Sequence, residues 1–262
     1  MKPEIGFMSL LRSESVLADL TFAAENGFNW FELALDWKQN FDLDEEVVKK
    51  IKSLSERHNI KLIIHTPYYL PTSSLLPEIK QAVIKNLDKA ILLAHQIDSD
   101  RLTIHPGINE MPRSAKNLCI HSLIDTLKEV VDMGKKVGVC ICLENFNKGG
   151  PQLCSELTEF IYVLNSVEDL RVTLDVGHSN TTNKSPTDFF TAVKNNIMNM
   201  HIHDNNGKSD EHKCLGEGNI EFIRIFEECK KARYYGPFIL EIFPYANILK
   251  GKKVLSDLWE NA

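Results

Sequence analysis

Residues Ile60–Gly107 read IKLIIHTPYYLPTSSLLPEIKQAVIKNLDKAILLAHQIDSDRLTIHPG. The run Ile60–His65 is apolar and short, which predicts a buried strand. Pro67, Pro71 and the pair Ser73-Ser74 mark a loop, because neither proline nor clustered serine continues regular structure. From Leu75 to Ile97 the apolar residues recur at helical spacing. Arg101–His105 is a second strand, stopped by Pro106-Gly107. A strand, a crossover helix and a second strand form a parallel βαβ unit.

The same unit repeats outward in both directions. Before it, Glu4–Ser9 and Trp30–Leu35 read as strands, with helical patterns over Ser13–Asn26 and Leu43–His58. After it, strands are expected at Gly138–Glu144, Arg171–Asp175, Ile197–His203 and Pro237–Ile242. Helices are expected at Ser114–Lys136, Leu153–Leu164, Pro186–Asn196 and Ile220–Ala232, with a last one from Ala246. Eight strands alternating with eight helices predict a closed (β/α)8 barrel rather than an open doubly wound sheet. No linker divides residues 1–262, so one domain is expected, and 262 residues suit one barrel. No dinucleotide fingerprint follows the first strand, which counts against a nucleotide-binding sheet.

Hydrophobic residues make up 43% of the chain and charged residues 25%, an ordinary globular balance. The net charge of -6 argues against non-specific nucleic-acid binding, since an acidic surface repels phosphate. No apolar run approaches a membrane span and the N-terminus lacks a signal core. A cytoplasmic protein with reduced thiols is expected. Six cysteines include Cys140 and Cys142, which read as small core residues of one strand. An oligomer is open.

The strand ends carry the chemistry. The third strand ends in His65, the fourth in His105, the fifth in Glu144 and the sixth in Asp175, with His178 just beyond. The seventh reaches His201, followed by Asp210 and His212, and the eighth reaches Glu241. In such barrels active sites are built at this end from several strands at once. Alternation puts Ile63 with His65, Cys140 and Cys142 with Glu144, and Ile239 with Glu241 on shared faces. Apolar residues would thus fill the barrel below a polar mouth. Four carboxylates crowded there repel one another unless a cation intervenes. Mixed imidazole and carboxylate ligands suit Zn²⁺, Mn²⁺ or Fe²⁺ better than Ca²⁺ or Mg²⁺. The expected cofactor is Zn²⁺ or Mn²⁺, one to three ions. His58, His95 and His121 fall on helices and read as surface or packing residues.

The densest stretch is Asn199–Ile220, NMHIHDNNGKSDEHKCLGEGNI. His203 shares the strand parity of His201 and could be a ligand, but with His201 already placed it is expected to stand behind the ligands or to contact substrate. LGEGNI reads either as a glycine turn with Asn219 capping the next helix, or as an anion site for a substrate phosphate. Basic residues expected near the mouth are few: Arg12, Lys38, Lys148, Lys184, Lys208 and Lys213. Of these, Lys208 is taken as a substrate-binding candidate. Tyr68, Tyr69 and Leu70 would line a small pocket, wedge into a duplex, or simply pack a loop.

With HTPY at His65–Tyr68, HPG at His105–Gly107, LEN at Leu143–Asn145, LDVGH at Leu174–His178, HIHDNNGKSDEH at His201–His212 and LEI at Leu240–Ile242, the chain resembles the xylose isomerase-like TIM barrels. That superfamily holds sugar-phosphate isomerases and epimerases and the endonuclease IV type of abasic-site nuclease. The first resemblance implies one divalent metal held by Glu144, Asp175, His201 and Glu241. It further implies proton transfer by Glu144 and Glu241 about an enediolate, with His178 on substrate oxygens and Tyr68 lining the sugar pocket. The second implies a trinuclear zinc site of nine ligands: His65, His105, Glu144, Asp175, His178, His201, Asp210, His212 and Glu241. The HDNNG continuation, short loops and sparse mouth cations favour the sugar enzyme, and nucleic acid is a partner only under the alternative. A barrel that binds metal without turnover is a third class, which the paired glutamates argue against. It would be revived by a protein that purifies without metal and gains no stability from Mn²⁺ or Zn²⁺.

Overall fold

The computed structural model describes residues 1–10, 13–36, 40 and 43–262, so Arg12 and Lys38 lie outside the described residues. Eight parallel strands close on themselves in sequence order. They are β1 Ile5–Met8, β2 Trp30–Ala34, β3 Lys61–His65, β4 Arg101–Ile104, β5 Cys140–Glu144, β6 Arg171–Asp175, β7 Ile197–Ile202 and β8 Phe238–Leu240. β8 returns to pair with β1, with Gly6 opposite Ile239. This is a (β/α)8 TIM barrel, as the alternation predicts.

The helices are α1 Val16–Glu25, α2 Glu45–His58, α3 Pro77–Gln96, α4 Lys116–Val137, α5 Leu157–Asn165, α6 Val176–Asn180, α7 Pro186–Val193, α8 Phe222–Lys231 and α9 Tyr245–Asn261. Local chemistry sets their ends. Ser15 caps α1 by accepting from the Ala18 N–H, and Asp44 caps α2 through the Val47 N–H. Pro77 opens α3, where its missing N–H costs nothing. Ser185 and Asp188 form a reciprocal capping box on α7. α6 is one helix more than the pattern predicts. Its five residues are too few to show periodicity, and the Asp175 side chain caps it. No helix among the described residues is long and apolar enough to cross a membrane. The six cysteines are free thiols, and Cys142 is buried inside the barrel.

Outward-facing strand residues such as Phe31, Leu33, Ile64, Leu143 and Leu174 join the helices in one large apolar core. The barrel interior departs from expectation. Trp30, Ile63 and Ile239 do form a small apolar cluster there. Above it, however, lies a buried polar layer. Thr103 Oγ1 is 3.0 Å from both Glu32 Oε1 and Thr173 Oγ1, and Thr173 Oγ1 donates to Asn199 Oδ1 at 3.3 Å. The two threonines and Glu32 tolerate burial because they satisfy one another, while Asn199 Nδ2 has no partner.

Candidate metal centre and pocket

The nine predicted ligands converge at the C-terminal mouth in three adjoining groups. In the first, His65 Nε2, His105 Nε2 and Glu144 Oε2 lie 3.2–3.4 Å apart. In the second, His201 Nδ1 faces Glu241 Oε1 at 2.9 Å, Glu144 Oε1 at 3.2 Å and Asp175 Oδ2 at 3.9 Å. In the third, Asp210 Oδ2 is 3.2 Å from His178 Nε2 and 3.1 Å from His212 Nε2. Glu144 belongs to the first two groups, one oxygen to each. Ligands about 2.1 Å from a tetrahedral zinc sit roughly 3.4 Å from one another. The first two groups bracket that spacing, so the residues present fit a divalent cation.

The imidazoles are held as ligands are held. A metal-binding histidine usually ties its other ring nitrogen to a carboxylate or a backbone carbonyl. His65 Nδ1 lies 2.9 Å from Asp36 Oδ2, and His201 Nε2 lies 2.9 Å from Glu32 Oε2. His178 Nδ1 lies 2.9 Å from the Asn145 carbonyl, and His212 Nδ1 lies 2.8 Å from the Glu241 carbonyl. Four of five therefore turn the free nitrogen inward. His105 alone keeps a buried Nδ1 without a partner.

Charge balance makes the same point. Burial opposes protonation of His65, His178 and His201, yet the carboxylates around them outweigh it and hold all three well above the usual imidazole range. His212, desolvated but beside Asp210 and Glu241, is raised to about 9. His105 goes the other way, lowered by burial. Desolvation would raise Glu144 and Glu241, but facing imidazoles hold Glu144 well below the carboxylate range and Glu241 at about 2. The mouth demands positive charge, which protons or a metal can supply.

Glu32 and Asp36 are absent from the predicted set. The signal for Glu32 was a lone acid inside the apolar strand WFELA, since a buried charge needs a partner. Asp36 lies just past the same strand, where it also accepts from the Tyr68 N–H at 2.7 Å.

The remaining predicted residues divide. Tyr68 lines the pocket above the ligands. His203 is fully buried behind them, 3.2 Å from Asp175 and stacked on His212 at 4.0 Å between ring centroids. It is not among the residues that line the pocket, and of the expected places it takes the one behind the ligands. It does fall within ligand reach of Asp175 and His178. The glycine of LDVGH makes room for it: a Cβ on Gly177 would sit 1.9 Å from His203 Cε1. Lys208 is exposed and is not part of the pocket wall. Lys148 is bound to Asn183 and Lys213 to Glu211.

The phosphate reading of LGEGNI is replaced by an internal anion. The Asp204 carboxylate is fully buried and accepts from the backbone N–H groups of Asn205, Gly216, Gly218 and Ile220 at 2.9–3.3 Å. Gly218 allows this approach, because a Cβ there would lie 2.2 Å from Asp204 Oδ1. Asn219 does not cap α8; Glu221 occupies that position. Asp204 and Lys213 also exchange backbone hydrogen bonds at 2.9 Å, closing the loop that carries Asp210 and His212. HDNNG is thus a scaffold for the third group.

The pocket above the ligands has a volume of about 390 Å³, within the roughly 300–1,000 Å³ of small-molecule sites. Asp36, His65, Glu144, Asp210 and Glu241 line its floor, and Tyr68, Phe146 and Phe243 its rim. Among the described residues no lysine or arginine lines it.

The chain is similar to known proteins along nearly its whole length. An uncharacterized protein of Methanocaldococcus jannaschii is 29% identical over 255 residues, covering 94% of this chain and 86% of that one. A crystal structure of a D-tagatose 3-epimerase-like protein superposes with a TM-score of 0.90 at 27% identity, covering 98% and 97%. A probable endonuclease 4 of Mycoplasma pneumoniae is 26% identical over 191 residues, 66% of this chain and 65% of that one. The family model described as xylose isomerase-like TIM barrel matches residues 20–258, and the chain belongs to that family.

Proposed function

We propose that the barrel is a divalent-metal-dependent isomerase or epimerase of a sugar or sugar phosphate. One observation carries this reading. Glu144 and Glu241 both line the pocket, and each points an oxygen at the same His201 nitrogen from a different strand. The neighbouring imidazoles keep both as carboxylates, the form that accepts a proton from carbon. One carboxylate removes the proton beside a carbonyl and the other returns one on the opposite face. A bound divalent cation, held by Glu144, Asp175, His201 and Glu241, would supply the positive charge that polarises the carbonyl. Tyr68, Phe146 and Phe243 exclude water from the reacting carbon. His178, which also lines the pocket, contacts a substrate oxygen. The likeness to the D-tagatose 3-epimerase-like protein supports the same class.

The test is solvent-proton exchange. Wild-type protein loaded with Mn²⁺ and incubated in D₂O with ketoses and their phosphates, D-tagatose first, exchanges the proton next to the carbonyl. Glu144→Gln abolishes that exchange; unchanged exchange would remove Glu144 from the mechanism.

A second reading, an endonuclease IV-like phosphodiesterase, rests on Asp210. Its Oδ2 gathers His178 and His212 into a third ligand group, more than a single-metal isomerase needs. Rapid cleavage of an abasic duplex by zinc-replete protein, lost in His65→Ala, would place that reading first. The pocket wall, free of lysine and arginine among the described residues, offers a phosphate backbone little to hold.

A further inference from the structure

Among the described residues, His203 is the one imidazole beside the ligands that neither metal set includes. It follows β7 directly and is fully buried. Its Nε2 lies 3.2 Å from each oxygen of Asp175 and 3.5 Å from Asp210 Oδ1. Asp175 belongs to the second ligand group and Asp210 to the third, so one ring nitrogen stands between the two groups. Asp210 Oδ1 has no hydrogen-bond partner, and neither has His203 Nδ1.

The ring is clamped in this orientation. One face stacks on His212. Its edge fills the space that a side chain on Gly177 would need, since a Cβ there would lie 2.4 Å from either ring nitrogen. Asn205 Nδ2 ties down the Gly177 carbonyl at 2.8 Å. Nε2 is thus held on the carboxylates, and Nδ1 is held away from any polar partner.

That placement decides where the proton sits. A neutral imidazole carries one N–H and one lone pair. On Nε2 the N–H has three carboxylate oxygens within 3.5 Å. If Nε2 gave its lone pair to a cation instead, the proton would move to Nδ1 and be buried without an acceptor. His65, His178, His201 and His212 meet the opposite condition, each with its outer nitrogen on an acceptor. His105 shares the bare Nδ1, but its Nε2 faces His65 Nε2 at 3.2 Å, and two nitrogens so close need a proton or a cation between them. The Nε2 of His203 meets carboxylate oxygens, which a single N–H serves.

We propose that His203 is a positioning residue and not a ligand: its Nε2–H holds the Asp175 carboxylate in the second group and separates it from Asp210 in the third. This rests on the metal centre described above and deepens it. Asp175 Oδ1 also accepts from the His178 N–H, so two donors fix the carboxylate while His201 Nδ1 faces Oδ2 at 3.9 Å. Without the His203 N–H, Asp175 loses that hold and faces Asp210 as a bare like charge. The two histidines of HIH therefore divide the work, His201 turned to the cation and His203 behind the carboxylate. LDVGH supplies both that carboxylate and the glycine that admits the ring.

The test uses zinc-loaded protein, with metal content, competitive chelator titration and ring ¹⁵N NMR as readouts. In wild type, His203 Nε2 should be protonated and Nδ1 a bare lone pair. His203→Leu should keep the wild-type metal content at saturating Zn²⁺ but bind it about 10–100-fold more weakly. His203→Gln offers an amide N–H from a similar position and should return affinity to within about threefold of wild type. An amide nitrogen has no lone pair to give a metal, so this rescue separates a donor from a ligand. Loss of one equivalent of zinc in both variants, or a wild-type His203 protonated on Nδ1, makes it a ligand and overturns the proposal. His203→Leu binding as tightly as wild type, or His203→Gln binding no tighter than His203→Leu, overturns it too. If His203→Leu fails to fold, the His203→Gln titration and the wild-type spectrum still decide. Wild type that binds no zinc removes the metal centre together with the proposal, whereas the other failures leave the centre standing.

Discussion

Glu32 offers the sharpest test of the metal centre, because it touches no substrate and lies beneath the pocket. Its Oε2 holds His201 Nε2 at 2.9 Å, while Oε1 accepts from Thr103 Oγ1 at 3.0 Å. Both side chains are fully buried. The contact fixes the ring so that Nδ1 faces Glu144, Asp175 and Glu241, and the carboxylate makes that nitrogen a stronger donor. In Glu32→Gln the shape and the hydrogen bonds survive but the charge goes. Losing such an outer partner typically costs about 10–100-fold in metal affinity, or roughly 1.4–2.8 kcal/mol. At saturating metal that difference reappears as lost stabilisation of the folded state. For a chain of this size it lowers Tm by about 3–11 °C relative to metal-loaded wild type. The assay is competitive chelator titration with Zn²⁺ and Mn²⁺, alongside thermal melts with and without metal. Glu32→Leu should be worse, since it also strands Thr103 and His201. Metal bound as tightly by Glu32→Gln as by wild type would refute the reasoning, and equal loss of Tm in chelated protein would reduce Glu32 to a packing residue.

Other outcomes follow from the same geometry. Imidazoles with raised folded-state pKa values stabilise the metal-free protein below their ordinary 6.5, and that contribution is lost as pH climbs towards about 9 for His212. Glu241, lowered from 4.5 to about 2, contributes above pH 4.5 and stops contributing as pH falls through about 2. Chelated protein should therefore melt highest between those limits, and the Tm gained from added Zn²⁺ should grow from pH 6.5 to 9; chelated protein that grows more stable over that range contradicts this. Gly177→Ala should cost about 1–3 kcal/mol by overpacking against His203, and His203→Ala in the same chain should recover part of it in a double-mutant cycle of melts. Asp210→Ala removes the atom shared by His178 and His212, so under the isomerase reading proton exchange should fall only several-fold. Complete loss of exchange, with metal still bound at Glu144, Asp175, His201 and Glu241, would show that the third group takes part in the chemistry.

Most of the barrel was legible because the β-strands are short and largely apolar, and the strand-end ligands stand out against that apolar background. What escaped did so for identifiable reasons. Glu32 sits two residues below the last residue of β2, so a search of strand ends passes over it. Asp36 lies past the strand in a turn, where an acid ordinarily signals nothing. Asn147 and Gln152 are neutral loop residues, and only the fold brings them to the pocket. LGEGNI has the composition of an anion site and does bind an anion, but the anion is Asp204 from the same chain. Sequence can show that backbone donors converge; it cannot show that a side chain twelve residues earlier has already taken them.

That substitution bears on the choice between chemistries. HDNNG had favoured a sugar enzyme by its resemblance, yet Asp204 and Asn205 fasten the loop: Asn205 Nδ2 donates to the Gly177 carbonyl at 2.8 Å, and Asn205 Oδ1 accepts from the Gly207 N–H at 2.8 Å. A scaffold of this kind holds Asp210 and His212 in place under either reading, so it weighs for neither. The discriminating weight moves to the pocket wall. There two glutamates share one imidazole nitrogen, and three aromatic rings stand around them. Those groups match the hydroxyls and C–H bonds of a small polyol better than the anionic, base-stacked backbone of a duplex.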